Sequence, residues 1–389
     1  MHFHLELALV FLSSTASPDD LPKALKIIKN PLPKNKKMQH LRSKEIPYGF
    51  PTIFGRGLID EFKNFVNPPF LVVTMEDLWP LFGHHFDGAD CQTYFCSSIE
   101  QENLNREAEN LGEIRAIVGL GGGQALDVAK YFSWRKNLPL FQAPTALSVN
   151  AVYGQRSGIR IDGKVVYRGW AIPQSIYIDY DVLASCPPAL NWSGIGDILC
   201  FHTGVLDWRY AEREGKIEEK WRYDEALAQQ SLRKVRGIVE NIDNIRVMND
   251  QGIEALVDGL KWGTSYHGAG WCPRHIEGTD HFLFYTLEKL TGKKFLHGQP
   301  VGLGVIVGSM LHEDGTEEML DTISSIGLDI RPKAMGLTWD QLVEGLKLLR
   351  SYVNEVGLWH SIAHDVNISD GFIADLRSRL NQAYQYKNG

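Results

Sequence analysis

The sequence predicts an α/β N-terminal domain of Rossmann-like, parallel-sheet type followed by an all-α C-terminal domain. Three observations predict it. Short β-rich runs alternate with helical stretches up to about residue 185, which is the pattern of a doubly wound parallel sheet. One run, Ile117-Val-Gly-Leu-Gly-Gly-Gly-Gln-Ala-Leu-Asp-Val-Ala-Lys130, passes from an apolar strand through three glycines into an amphipathic helix. Beyond Pro188 strand-like runs are scarce and long stretches with helical spacing take over. The expected divisions are a lead-in segment over 1–44, the α/β domain over 45–185 and the helical domain over 186–389.

Taken in order, residues 13–44 are polar and basic and read as a solvated lead-in, with structure beginning near Ile46. Tyr48 to Gly57 carries a glycine pair ahead of an expected helix through Val66. Pro68–Thr74 is a strand ending on a polar residue, Met75–Phe82 starts a helix and Cys91–Cys96 is a weaker strand. Ile99–Leu111 reads as a charged helix, Arg115–Val118 leads into the glycine turn, and Leu138–Ala143 and Ser175–Asp179 complete the strands. In the second half, helical spacing covers Ile198–Arg213, Glu218–Ile242, Ile253–Tyr266, His281–Leu290, Pro300–His312, Met319–Gly327, Trp339–Val356 and Asp370–Tyr384.

Composition narrows the function. With 389 residues the chain can bury two cores. Its 44% hydrophobic and 22% charged content is that of a soluble globular protein. A formal net charge of −7 gives no electrostatic reason to expect nucleic acid or an anionic membrane as partner. Five cysteines, Cys91, Cys96, Cys186, Cys200 and Cys272, form no CxxC pair, which favours a reducing, cytoplasmic setting over a disulfide scaffold. The apolar run within Met1–Leu12 lacks a basic lead and is broken by Glu6, unlike a signal peptide; it is also too short to span a bilayer.

Two features carry chemistry. Gly121, Gly122 and Gly123 let a phosphate approach backbone that a Cβ would block, and the helix start behind them offers N–H groups to an anion. A tight strand-to-helix turn with nothing bound reads equally well. In the helical half, Asp197, His281 and His297 stand out, because one carboxylate and two imidazoles make a three-ligand site for Zn²⁺ or Fe²⁺ with a position left open. Each has a structural alternative: Asp197 starts a helix and reads as an N-cap, and either histidine alone reads as core.

Gly121-Gly-Gly-Gln-Ala-Leu-Asp-Val-Ala-Lys130 resembles the GGGxxxDxAK signature of the iron-containing alcohol dehydrogenase, glycerol dehydrogenase and dehydroquinate synthase superfamily. With Ala143-Pro-Thr-Ala-Leu-Ser148, Gly194-Ile-Gly-Asp-Ile-Leu199 and Arg274-His-Ile-Glu-Gly-Thr-Asp-His281, it is most similar to the sn-glycerol-1-phosphate dehydrogenase branch. The last segment is similar to that branch's Arg-Pro-Ala-Ser-Gly-Ser-Glu-His. The resemblance covers roughly residues 50–310. It implies a metal on Asp197, His281 and His297, with zinc first and iron or nickel as alternatives. It implies NAD or NADP on Gly121, Gly122, Gly123 and Asp127, with Thr145 and Ser148 on the nicotinamide side, and cofactor and metal in the cleft between the two domains. The implied reaction is hydride transfer to or from a small polyol or polyol phosphate, in a homo-oligomer. A dehydroquinate synthase-like cyclase and a non-catalytic dinucleotide-binding relative are the competing readings.

The chain departs from the branch where substrate and cofactor would be touched. Its usual lysine in the glycine turn is Gln124, its substrate-placing aspartate is Asn150, a further histidine is Tyr285, and His-Gly-Glu has become His297-Gly298-Gln299. A substrate phosphate would need cationic donors; Arg156, Arg160, Lys164 and Arg168 read as a charged hairpin, and Arg274 is the better candidate. Glu288, two helical turns past His281, would share its face. Glu76 and Asp77, after the second strand, favour NAD over NADP.

Overall fold

A computed structural model describes residues 50–161, 163–264 and 272–385. The lead-in over 1–44, the start near Ile46 and the end of the helix expected to reach Tyr266 lie outside the described residues, as does the Lys164 side chain. The chain divides into two units, one of residues 50–144 and 154–181 and the other of residues 145–153 and 182–385. Residues 145–153, inside the span expected for the α/β domain, thus group with the helical unit.

The first unit is built on six parallel strands: β1 (Thr52–Gly55), β2 (Phe70–Thr74), β3 (Cys91–Phe95), β4 (Ala116–Gly121), β5 (Leu140–Pro144) and β8 (Ser175–Asp179). Their order is β1-β8-β5-β4-β2-β3. Every residue of β2, β4, β5 and β8 is buried, as expected of central strands covered on both faces. Helix α1 (Gln101–Asn110) crosses from the edge strand β3 past β2 to β4, and α2 (Gly123–Lys136) links the neighbouring strands β4 and β5. A Cβ on Gly119 of β4 would sit 2.8 Å from Ala129 Cβ of α2, so this glycine sets how closely helix and strand pack. β6 (Ser157–Ile161) and β7 (Lys164–Arg168) form the expected hairpin.

Two local expectations fail. Thr52–Gly55 is an edge strand that pairs with β8, and no sequence signal marked it. The helix expected through Val66 reduces to a 3₁₀ turn at Ile59–Glu61 and a single α turn at Phe62–Phe65. Its Leu58 N–H is bound by Asp179 Oδ2 at 2.7 Å, so a tertiary partner satisfies the backbone that a longer helix would use.

The second unit is helical throughout its described residues. Its longer helices are α3 (Gly196–Arg213), α4 (Glu225–Glu240), α5 (Asp250–Gly263), α6 (Thr279–Thr291), α7 (Gly298–His312), α8 (Thr316–Ile326), α9 (Trp339–Val356) and α10 (Asp370–Gln385). The helix expected over Glu218–Ile242 is shorter because Asp224 caps α4, accepting from Leu227 N at 3.0 Å, while Glu212 binds Tyr223 N at 3.1 Å. Glycines bring α3, α6 and α7 into backbone contact. A Cβ on Gly304 of α7 would lie 2.3 Å from Asp280 O, and one on Gly204 of α3 would lie 3.1 Å from Glu277 N. Among the described residues no helix is long and apolar enough to cross a membrane.

Candidate metal centre and glycine turn

The glycine turn follows from the end of β4. Gly121 has φ +151°, and a Cβ there would strike Ala125 Cβ at 2.8 Å and Leu78 Cδ1 at 3.3 Å. Gly122 caps α2 with no side-chain bond, and nothing lies within 4 Å of where its Cβ would be. The Gly122 Cβ position is thus open, and the first N–H groups of α2 have no partner within the helix, as at helix starts that receive a phosphate. β4 lies between β2 and β5, where the winding of the sheet reverses, and ligands of such sheets bind in the crevice beyond the strand ends at that point. Glu76 and Asp77 follow β2 and are exposed. Asp127 points elsewhere: it pairs with Lys130 Nζ at 2.6 Å and sits 3.1 Å from the Cβ position of Gly158 in β6. Lys130, fully buried, also donates to Gly154 O and Arg156 O at 3.1 and 2.8 Å. This pair fastens the hairpin to α2.

In the helical unit, three helix starts converge. Asp197 is the second residue of α3, His281 the third of α6, and His297 the residue before α7. Asp197 does not cap its helix, since that position is Ile195. Its Oδ2 instead accepts Asn150 N at 2.9 Å, which ties residues 145–153 to the cluster. Close contacts hold the ends together: Gly298 N donates to Ser193 Oγ at 2.9 Å, and Leu147 N donates to Asn191 Oδ1 at 2.8 Å. Cβ atoms on Gly298 and Gly194 would meet Ser193 O and Leu147 O at 1.8 and 1.9 Å.

Asp197 Oδ1 lies 2.9 Å from His297 Nε2 and 3.6 Å from His281 Nε2. It is buried, yet no hydrogen bond is directed at it. Neighbouring ligands around a tetrahedral ion with bonds of about 2.0–2.1 Å stand roughly 3.3 Å apart, and these two separations bracket that figure. A buried carboxylate oxygen facing two imidazole nitrogens without an aligned hydrogen bond fits a divalent cation. Burial would raise the Asp197 pKa, but the charges and contacts of His297 and His281 hold it well below the carboxylate range. Burial would lower that of His281, while Asp197, Asp280 and Glu277 lift it well above its ordinary value. The pocket favours added positive charge.

The sequence reading missed what orients the ligands. Asp280 Oδ1 binds His281 Nδ1 at 2.6 Å and its backbone N at 2.8 Å, and Oδ2 accepts the Thr203 hydroxyl at 2.6 Å. This aims His281 Nε2 at Asp197. Cys200 also lies near Asp280 and His281, but burial and the neighbouring carboxylates push its thiol well up and it donates to Ile276 O at 3.0 Å. A contact with a histidine at i−1 was invisible to a search for ligand spacing.

Other candidates are placed as follows. Thr145 is buried and Ser148 half-buried. Arg274 is 1% exposed; its Nη2 donates to His360 O at 2.7 Å, and its Nε and Nη1 have no hydrogen-bond partner among the described residues. The carboxylates that act on it are Glu218 and Asp207. Asp207, one of them, lies ten residues along α3 from Asp197, about 15 Å at 1.5 Å per residue. Glu288 acts on Tyr352 of α9.

The iron-containing alcohol dehydrogenase family matches residues 84–187. The glycerol-1-phosphate dehydrogenase [NAD(P)+] of Aeropyrum pernix is 32% identical over 248 residues, 64% of this chain and 69% of that protein. The enzyme of the same name from Hyperthermus butylicus is 28% identical over 310 residues, 76% of this chain and 87% of that protein. Among solved structures, a probable glycerol dehydrogenase from Sinorhizobium meliloti superposes with a TM-score of 0.63 at 18% identity, covering 86% of this chain and 96% of that one, a likeness of fold.

Proposed function

The chain belongs to the iron-containing alcohol dehydrogenase family, in its glycerol-1-phosphate dehydrogenase branch, and from that premise we propose that Asp197, His281 and His297 hold its metal and Gly121, Gly122 and Gly123 its dinucleotide. It is a metal-dependent NAD(P) oxidoreductase acting on a small polyol phosphate. The observation that carries the site is Asp197 Oδ1, buried between two imidazole nitrogens and accepting no hydrogen bond.

One carboxylate and two imidazoles suit Zn²⁺ first, with Fe²⁺ and Ni²⁺ as alternatives. When bound, the cation supplies Lewis acidity at the substrate oxygen. The chain's own residues do the rest. Asp280 fixes the His281 tautomer and Asn150 N holds Asp197, and the burial of Asp197, Asp280 and His281 strengthens the charges they carry. The start of α2 would receive the pyrophosphate, and Thr145 and Ser148 would line the nicotinamide side. Glu76 and Asp77 stand just beyond β2, where a carboxylate accepts the ribose hydroxyls and repels a 2′-phosphate, so NAD is the preferred form. Asn150 is assigned to the substrate side of Asp197. Arg274, with two guanidinium nitrogens that make no hydrogen bond among the described residues, is the candidate for a substrate phosphate.

Metal analysis of the purified protein, combined with a cofactor-reduction screen over glycerol, glycerol phosphates and related polyols, tests the reading. One equivalent of divalent metal and reduction of NAD by a glycerol phosphate are expected. Metal binding with product formation but no net change in reduced cofactor would replace it with a cyclase.

A further inference from the structure

Four residues before His281 the branch motif has a serine and four residues after it a histidine; this chain has Glu277 and Tyr285. The structure joins the two departures. Tyr285 donates its hydroxyl to Glu277 Oε1 at 2.8 Å, and the Tyr285 ring lies 6.2 Å from the His281 ring. Glu277 is partly buried and its charge acts on both His281 and His297.

The carboxylates of the cluster itself are occupied. Asp197 has Oδ2 on Asn150 N and Oδ1 between the imidazoles. Asp280 has Oδ1 on His281 and Oδ2 on Thr203. Apart from Asp197 Oδ1, which the two imidazoles face, Glu277 Oε2 is the oxygen of these three carboxylates with no hydrogen bond among the described residues. Alcohol oxidation by hydride transfer also releases one proton, and something in a closed pocket must take it.

We propose that Glu277, oriented by Tyr285, is the catalytic base for this reaction, replacing the titratable group that the branch carries at the position of Tyr285. This rests on the dehydrogenase reading above. The substrate O–H bond breaks and its proton goes to Glu277 Oε2. The carbinol hydrogen leaves with its electron pair to the nicotinamide, so the alcohol is oxidised to a ketone and NAD(P)⁺ is reduced. In the reverse direction Glu277 returns the proton. The groups facing Glu277 are Asp280, His281 and Tyr285 of α6, His297 before α7 and Cys200 of α3. Burial is the largest influence on its carboxyl and moves the pKa upward, toward the range a base needs at neutral pH.

Glu277→Gln is expected to lower kcat for polyol oxidation about 10²- to 10⁴-fold while metal content and NAD(P)H fluorescence titrations match the wild type. Tyr285→Phe removes a hydrogen bond that favours the charged carboxylate, so the acid limb of the kcat profile moves to higher pH. Glu277→Ser loses turnover, and adding Tyr285→His to it restores a large part. A Glu277→Gln protein within about twofold of wild type, or one that loses turnover only in proportion to lost metal, overturns the proposal. So does an unmoved acid limb in Tyr285→Phe, which remains readable if the Glu277 variants do not fold. A wild-type protein that binds metal but reduces no cofactor defeats the dehydrogenase reading instead.

Discussion

Asp280 Oδ1 receives both the ring Nδ1 and the backbone N–H of His281, at 2.6 and 2.8 Å, so one carboxylate oxygen sets the tautomer and the rotation of the ring together. Asp280→Asn keeps the size but weakens the acceptor. Metal affinity, measured by competition with a chromophoric chelator, is expected to fall about 10- to 100-fold, with the fold intact by circular dichroism. Unchanged affinity would show that helix packing alone orients His281.

Metal removal should register as lost stability. A ligand that binds only the native state at 1,000 times its Kd stabilises by about 4 kcal/mol. Chelation is therefore expected to lower Tm, and Asp197→Ala to abolish the response to added metal. A chelator that leaves Tm and bound metal unchanged in the wild type, or an Asp197→Ala protein that still responds, argues against the three-ligand assignment.

The glycines divide into two kinds that a pair of substitutions separates. Gly298→Ala places a Cβ 1.8 Å from Ser193 O, backbone that cannot swing aside. A loss of about 1–3 kcal/mol or more is expected, with metal binding impaired. Gly122→Ala meets nothing within 4 Å and should cost about 1 kcal/mol or less. It fills the space a phosphate needs, so the Kd for NAD should rise roughly tenfold, about 1.4 kcal/mol. Equal cofactor affinity in Gly122→Ala would remove the glycine turn from the binding site.

Asp207 anchors the start of α6. It accepts Thr279 N at 2.7 Å, Ile362 N at 3.0 Å and pairs with His312 at 2.9 Å. Burial would raise its carboxyl, but His312 and the two backbone donors hold it below its ordinary value of 3.8. A depressed folded pKa gives stability that is complete above 3.8 and lost as pH falls through the folded value. Denaturant melts of Asp207→Asn should show lower stability at neutral pH and a shallower decline below about pH 4. A decline as steep as the wild type's would locate the acid sensitivity elsewhere.

The strands rich in buried β-branched and aromatic residues were legible because β2, β4 and β8 are continuous apolar runs closed by turn residues. β1 was not: four residues beside glycines leave no period to read, and pairing with β8 creates the strand. Trp339–Val356 matched because its Thr338–Gln341 capping box and Gly357 are local signals. The grouping of 145–153 with the helical unit depends on Asn150 N meeting Asp197, a contact across 47 positions that no local pattern encodes. Asp197, His281 and His297, the proposed metal ligands, were recognisable as residue types, and the family resemblance joined them. The Glu277–Tyr285 bond was hidden for another reason: Tyr285 read alone as a lost histidine and Glu277 carried no signal of its own, and only their proximity makes them an exchange.

The glycine contacts among α3, α6 and α7 have an evolutionary corollary. Main chain pressed against main chain leaves side chains no say in where the ligand-bearing ends sit. Lineages can then trade the groups that line the cavity, serine for glutamate or histidine for tyrosine, without disturbing the grip on the ion. Catalytic novelty here would arise by refurnishing a room whose walls do not move.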